Sequence, residues 1–117
     1  MSPAELKART KSFALRIIKM SREISKSDDA GRVITKQILR SGTSVAANYR
    51  ACCRARSPAE FIAKIGTVEE ESDETAFWLE LLIESNIMSA SKLSALLNEA
   101  NELTAIMAAS RKTAARK

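Results

Sequence analysis

Phe61, Ile65, Val68, Ser72, Thr75, Leu79 and Leu82 follow one another in unbroken four-three steps. That spacing keeps one stripe of a helix facing one way for about six turns. A strand, whose side chains alternate with a period of two, cannot present it. Ser57-Pro58-Ala59-Glu60 stands just ahead of the run. The serine is a cap, the proline fits the first helical position, and the glutamate three residues on closes a capping box. The segment reads as a helix from Ser57 to near Asn86. A helix this long with one apolar stripe draws its stability from whatever covers the stripe. Ser72 and Thr75, at the centre, are small enough to let the covering element come close.

The rest of the chain supplies helices for that purpose. Its 117 residues suffice for one domain with a single core. Aromatic residues are only 4% of the chain, so aliphatic side chains and alanine fill the core. Three glycines and two prolines are too few for the turns of a many-stranded β protein. A first helix begins at Ser2 with Pro3 at its first position and carries Leu6, Phe13, Ile17, Met20 and Ile24 on one face. Lys7, Lys11, Arg16, Lys19 and Arg22 occupy its other faces, and Ser27-Asp28-Asp29 ends it. A second helix is predicted over residues 30–55, with Ile34, Ile38, Ser41, Val45, Asn48 and Cys52 as its seam. Gly42 costs this helix roughly 1 kcal/mol relative to alanine, a cost that close packing against another helix offsets. Ser41 and Asn48 are predicted to be buried polar groups that meet Ser72 and Thr75 and set helix register. A fourth helix starts at Ser89 or Ser91 and buries Leu93, Leu96, Leu97, Ala100, Leu103, Ile106 and Met107. Short loops make the neighbours antiparallel, so the expected fold is all-α, an up-down-up-down four-helix bundle over residues 1–110. Residues 111–117 are expected to form a flexible basic tail.

Charge is segregated by helix. Residues 30–59 hold six Arg or Lys and no acid, and residues 60–86 hold eight acids and one Lys. Lys36, Arg40, Arg50 and Arg54 share one stripe of the second helix, about 200° from its apolar seam. Two readings stay open: a strip that binds phosphates, or a solvated face whose charges pair with acids of a neighbouring helix or subunit. Arg111, Lys112, Arg116 and Lys117 in the tail have no acids near them in sequence. Phe77, Trp78 and Leu81 form a second apolar cluster on the third helix, pointing away from the seam. One bundle needs one buried stripe per helix, so this cluster suggests a further contact, between subunits.

Catalytic and metal chemistry have no visible machinery. The chain has no histidine, which removes His-based triads and the usual zinc sets. Glu69, Glu70, Glu71, Asp73 and Glu74 lie on one helix, whereas a di-iron bundle draws its carboxylates from several. Glu71 and Asp73 are the acids placed for a buried polar role. Ser89 and Lys92 match Ser-x-x-Lys, but no supporting motif accompanies them and Ser89 reads as a helix cap. Cys52 and Cys53 are adjacent and cannot form an ordinary structural disulfide with each other. No cofactor is called for. No apolar run is long enough to span a membrane and no signal peptide opens the chain, so a soluble, cytoplasmic protein is expected.

The order Ser41-Gly42-Thr43-Ser44, Ala46-Ala47-Asn48-Tyr49-Arg50, Ser57-Pro58-Ala59-Glu60-Phe61 and Trp78-Leu79-Glu80-Leu81-Leu82 resembles the bacterial four helix bundle protein family, also called the 23S rRNA intervening-sequence protein family. The likeness is best over residues 37–82. It implies an antiparallel four-helix bundle assembled into a ring, commonly a pentamer. Many relatives carry a glutamate shortly after the Ala-Asn pair. Here Ala51 or Cys52 stands in its place, so no role for that glutamate carries over. A more distant likeness is to the accessory protein of diversity-generating retroelements, a basic ring that works beside nucleic acid.

The leading expectation is a non-catalytic, homo-oligomeric bundle that binds RNA or DNA through phosphate contacts. Lys36, Arg40, Arg50, Arg54, Arg111, Lys112, Arg116 and Lys117 are its candidate contacts, and Phe77, Trp78 and Leu81 its candidate subunit interface. The alternative is a scaffold whose surface docks another protein and takes no nucleic acid.

Overall fold

In the computed structural model, which describes residues 1–116, the chain forms α1 (Pro3–Ser21), α2 (Asp29–Cys52), α3 (Pro58–Glu84) and α4 (Ala90–Ala115). They pack in sequence order around a square, α1 on α2, α2 on α3, α3 on α4, and α4 back on α1. The bundle measures 49 × 20 × 19 Å. Among the described residues no helix is long and apolar enough to cross a membrane.

The starts of α1, α2 and α3 follow from local chemistry. Ser2 and Glu5 close a capping box at α1, and Asp28 and Ser57 accept from Gly31 N–H and Glu60 N–H at α2 and α3. Ser89 occupies the cap position of α4 but makes no side-chain cap bond; its hydroxyl lies 3.1 Å from that of Ser91. The expectation of a serine cap thus holds for position and not for bonding. α3 ends in a Schellman motif. Asn86 takes the left-handed conformation (φ 63°), and Ile87 N–H and Asn86 N–H return to the carbonyls of Leu82 and Ile83.

The core follows the four-three pattern closely on α3, where Ile65, Val68, Ser72, Thr75, Leu79 and Leu82 are buried and Phe61 is half-buried. On α2 the seam departs from expectation. Tyr49 is buried and Asn48 only half-buried, because the stripe runs Val45, Tyr49, Cys52, a step of four and then three. Asn48 therefore does not take the core position expected of it. Ser41 and Thr75 do meet. Their hydroxyls are 2.9 Å apart in the core, and Thr75 Oγ1 is 2.7 Å from the Glu71 carbonyl oxygen. Ser72 is also buried and donates to the Val68 carbonyl within its own helix.

Two glycines show how closely α2 is approached, Gly42 by α1 and Gly31 by the loop before it. A Cβ on Gly42 would lie 2.9 Å from two side-chain carbons of fully buried Ile17, and one on Gly31 would lie 2.9 Å from Ile24. The α1–α4 seam is thinner and is bridged by charge. Arg9 on α1 donates from Nε and Nη2 to the two carboxylate oxygens of Glu99 on α4, both at 2.7 Å.

The Glu99 carboxyl is held below its ordinary 4.5 by the hydrogen bond from Arg9, with burial opposing. Its folded-state pKa is depressed, so the pair contributes stability above the unfolded value. That contribution is lost as pH falls through the folded value, below about 4.5. Glu99→Gln is expected to flatten the acid side of the stability profile between about pH 5 and pH 3. Thermal melts across that range check it, and parallel profiles for variant and parent would contradict it.

Candidate nucleic-acid interface

The helices distribute the basic residues into two groups. The first is neutralised by α3. Arg40 pairs with Glu71 at 3.3 Å and with Glu74 at closer range, and Arg111 pairs with Glu69 at 2.7 Å. Glu74 is further fixed by Trp78, whose indole N–H donates to it at 3.0 Å. That hydrogen bond, ahead of the one from Arg40, holds the Glu74 carboxyl below its usual range. The acids of α3 thus serve arginines on α2 and α4. Asp73, expected in a buried polar role, is exposed, and Glu71 is half-buried against Arg40.

These pairings break the predicted strip. Arg40 is engaged with carboxylates on the α2–α3 side, whereas Lys36, Arg50 and Arg54 are exposed without an ion pair among the described residues. The basic tail also differs from expectation. α4 continues through Ala115, so Arg111 and Lys112 are helical and Arg116 is the C-cap. Alanine at 108, 109, 114 and 115 favours that continuation. Lys112 and Arg116 are exposed. Lys117 lies outside the described residues.

The second group gathers in a groove. α2 ends at Cys52, three residues short of the predicted 55, so Arg50 lies on its last turn and Arg54 on the turn beyond; the two stand across from Lys7 and Lys11 of α1, with Ala4, Ala8, Thr43, Ala46 and Ala47 completing the lining. Its volume is about 590 Å³. No acidic residue lines it. The groove exists because Gly42 brings the two helices together while alanines on the outer face leave nothing to fill the crease between them. Lys7 and Lys11 were not among the predicted contacts. Their four-residue spacing beside Ala4 and Ala8 is legible, but only the packing of α1 on α2 joins them to Arg50 and Arg54.

On α3, Phe77 is 50% exposed and Trp78 and Leu81 are half-buried. The two rings meet edge to face, with centroids 5.1 Å apart and planes at 64°. Phe77 projects outward, while Trp78 packs partly on the bundle core.

The cysteines divide by environment. Burial pushes the Cys52 thiol up to about 11, and Cys53 is exposed. Burial likewise raises the Tyr49 phenol well above its ordinary 10.0. A thiol reagent such as dithionitrobenzoate at about pH 8 is expected to modify one equivalent in the native protein and two after unfolding. Rapid modification of both in the native state would contradict the burial of Cys52.

A four-helix bundle with a basic crease on one side and an aromatic cluster on another is the class of protein that emerges. The profile of the 23S rRNA-intervening sequence protein family matches residues 4–109, and the chain belongs to that family. Among solved structures, it is similar to a protein of unknown function from the S23 ribosomal protein family of Bacteroides thetaiotaomicron VPI-5482. The two share 33% identity over 91% of this chain and 97% of that one, with a TM-score of 0.83. No curated protein matches the chain.

Proposed function

We propose that the protein is a non-catalytic, homo-oligomeric bundle that binds RNA or DNA by phosphate contacts in the groove between α1 and α2. The observation that carries this reading is the convergence of Lys7, Lys11, Arg50 and Arg54 on one concave surface with no acid in its lining. Lys7, Lys11 and Arg50 stand on helices and Arg54 on the turn directly after α2, so little backbone needs ordering when a polyanion arrives. Lys112 and Arg116, exposed at the end of α4, are secondary contacts. Arg40 and Arg111 leave the set, because a phosphate would have to displace carboxylates from them.

Self-assembly rests on Phe77 with Trp78 and Leu81 around it, an apolar surface that the single bundle leaves half open. A ring or other closed oligomer multiplies a modest four-charge groove by avidity.

The test is a fluorescence-anisotropy titration of nuclease-treated protein with a structured RNA across a salt series. Log K is expected to fall linearly with log salt. Each of Lys7→Gln, Lys11→Gln, Arg50→Gln and Arg54→Gln is expected to reduce the slope by about one. Arg40→Gln is expected to leave the slope unchanged. Equal slopes in parent and groove variants would remove the groove from the reading.

A further inference from the structure

We infer that the groove between α1 and α2 takes the sugar-phosphate backbone of a double helix, RNA or DNA, and does not read its sequence. This rests on the nucleic-acid reading above and specifies the form of the ligand. Three features of the groove carry it.

The first is what the lining lacks. Proteins that hold single strands stack successive bases on aromatic side chains, a contribution of about 1–3 kcal/mol per base. The groove is lined by alanine, lysine, arginine and one threonine, with no aromatic ring. The aromatic residues lie elsewhere. Phe13 and Tyr49 are buried, Phe61 sits half-buried at the start of α3, and Phe77 and Trp78 are on α3, which does not pack on α1. An unstructured strand entering the groove would find charge but no surface for its bases.

The second is shape. Reading base edges requires an element that protrudes into a groove of the nucleic acid. Here the surface is itself concave, a crease between two parallel-sided helices floored by Ala4, Ala8, Ala46 and Ala47. A concave crease receives the raised backbone ridge of a duplex and holds the bases at a distance. Its one uncharged polar side chain, Thr43, directs its hydroxyl to its own helix, donating to the Leu39 carbonyl oxygen at 2.5 Å.

The third is the spacing of the charges. Lys7 and Lys11 are four residues apart on α1, while Arg50 lies in the last turn of α2 and Arg54 in the turn that follows it. The α1 pair spans about 6 Å along the helix axis. A duplex carries one charge about every 1.7 Å of its axis, so a patch of that length faces several phosphates already held in place. A flexible strand would first have to be ordered to match the same array.

The test uses the full chain in anisotropy titrations with four probes of matched length. These are an RNA duplex, a DNA duplex of the same sequence, a DNA duplex of scrambled sequence, and an unstructured homopyrimidine strand. The two DNA duplexes are expected to bind equally, and every duplex about tenfold or more tighter than the single strand. The duplex slope of log K against log salt is expected to be about −3 to −4 per bound chain, from four neutralised phosphates. K7Q/K11Q/R50Q/R54Q, whose four sites are exposed, is expected to keep its helicity and lose the preference for duplex. RNA and DNA duplexes binding alike would point to the phosphate array alone, and tighter RNA binding to A-form geometry; both agree with the inference. A homopyrimidine strand binding as tightly as the duplexes would overturn it and leave the nucleic-acid reading standing, as would a tenfold preference between the two DNA sequences. No binding of any probe at low salt would overturn both.

Discussion

Gly42→Val is expected to destabilise the bundle by about 2–3 kcal/mol, as an overpacked core does. The Cβ alone would stand 2.9 Å from both Cγ1 and Cγ2 of Ile17 and 3.3 Å from its Cβ. Ile17 is fully buried, so it has no open space to move into. The branched side chain brings two more carbons to the same contact. Gly42→Ala adds only the Cβ and gains about 1 kcal/mol of helix propensity, so its net cost is smaller, about 1 kcal/mol. Gly66 on α3 is the internal control. A Cβ there meets only Arg111 Cδ, at 3.7 Å, an ordinary contact. Gly66→Ala is therefore expected to stabilise by about 0.5–1 kcal/mol. Chemical denaturation of the variants reads all of these. A stabilising Gly42→Ala would show that α1 can retreat from α2 at no cost, and the geometry of the basic groove would then not be rigid.

Under the proposed self-assembly, Phe77→Glu is expected to give a folded monomer. Phe77 is half exposed, so the bundle itself loses little by the change. A second subunit, however, would have to bury a carboxylate in an apolar contact. Light scattering reads the mass and far-UV circular dichroism reads the helices; an unchanged mass would remove Phe77 from the interface. Trp78→Ala is expected to behave differently. Trp78 packs partly on the core and donates to Glu74, which also holds Arg40. Its truncation is expected to lower bundle stability by about 2–3 kcal/mol as well as weaken assembly. The contrast between the two variants separates an interface residue from one that also supports its own helix.

The seam of α3 was readable residue by residue because its four-three spacing has one solution, a helix buried along that line. The α2 seam was readable only in part. Val45 and Cys52 are buried as the pattern predicts, but both Asn48 and Tyr49 lie at helical spacing between them. Which of the two turns inward depends on a rotation of less than half a turn, settled by packing against α1 and α3. The meeting of Ser41 with Thr75 followed from small residues at the centre of both seams. The basic residues were harder. Their helix assignments were clear, yet Arg40 and Arg50 share a stripe of α2 and end in different surroundings. Arg40 lies within reach of the α3 carboxylates, whereas Arg50, about three turns later, opens toward α1.

Local sequence thus determined the helices, the side-chain caps of α1 to α3 and the apolar stripe of α3, because these depend on residues within one or two turns of each other. It also determined the absence of histidine and the segregation of charge between α2 and α3. Tertiary structure alone decided which charges remain free. Carboxylates from α3 reach Arg40 and Arg111, and none reaches the crease where Lys7 and Lys11 face Arg50 and Arg54. Pairing of this kind joins residues dozens of positions apart, and its range is a few ångströms, so helix packing, and not order along the chain, sets it.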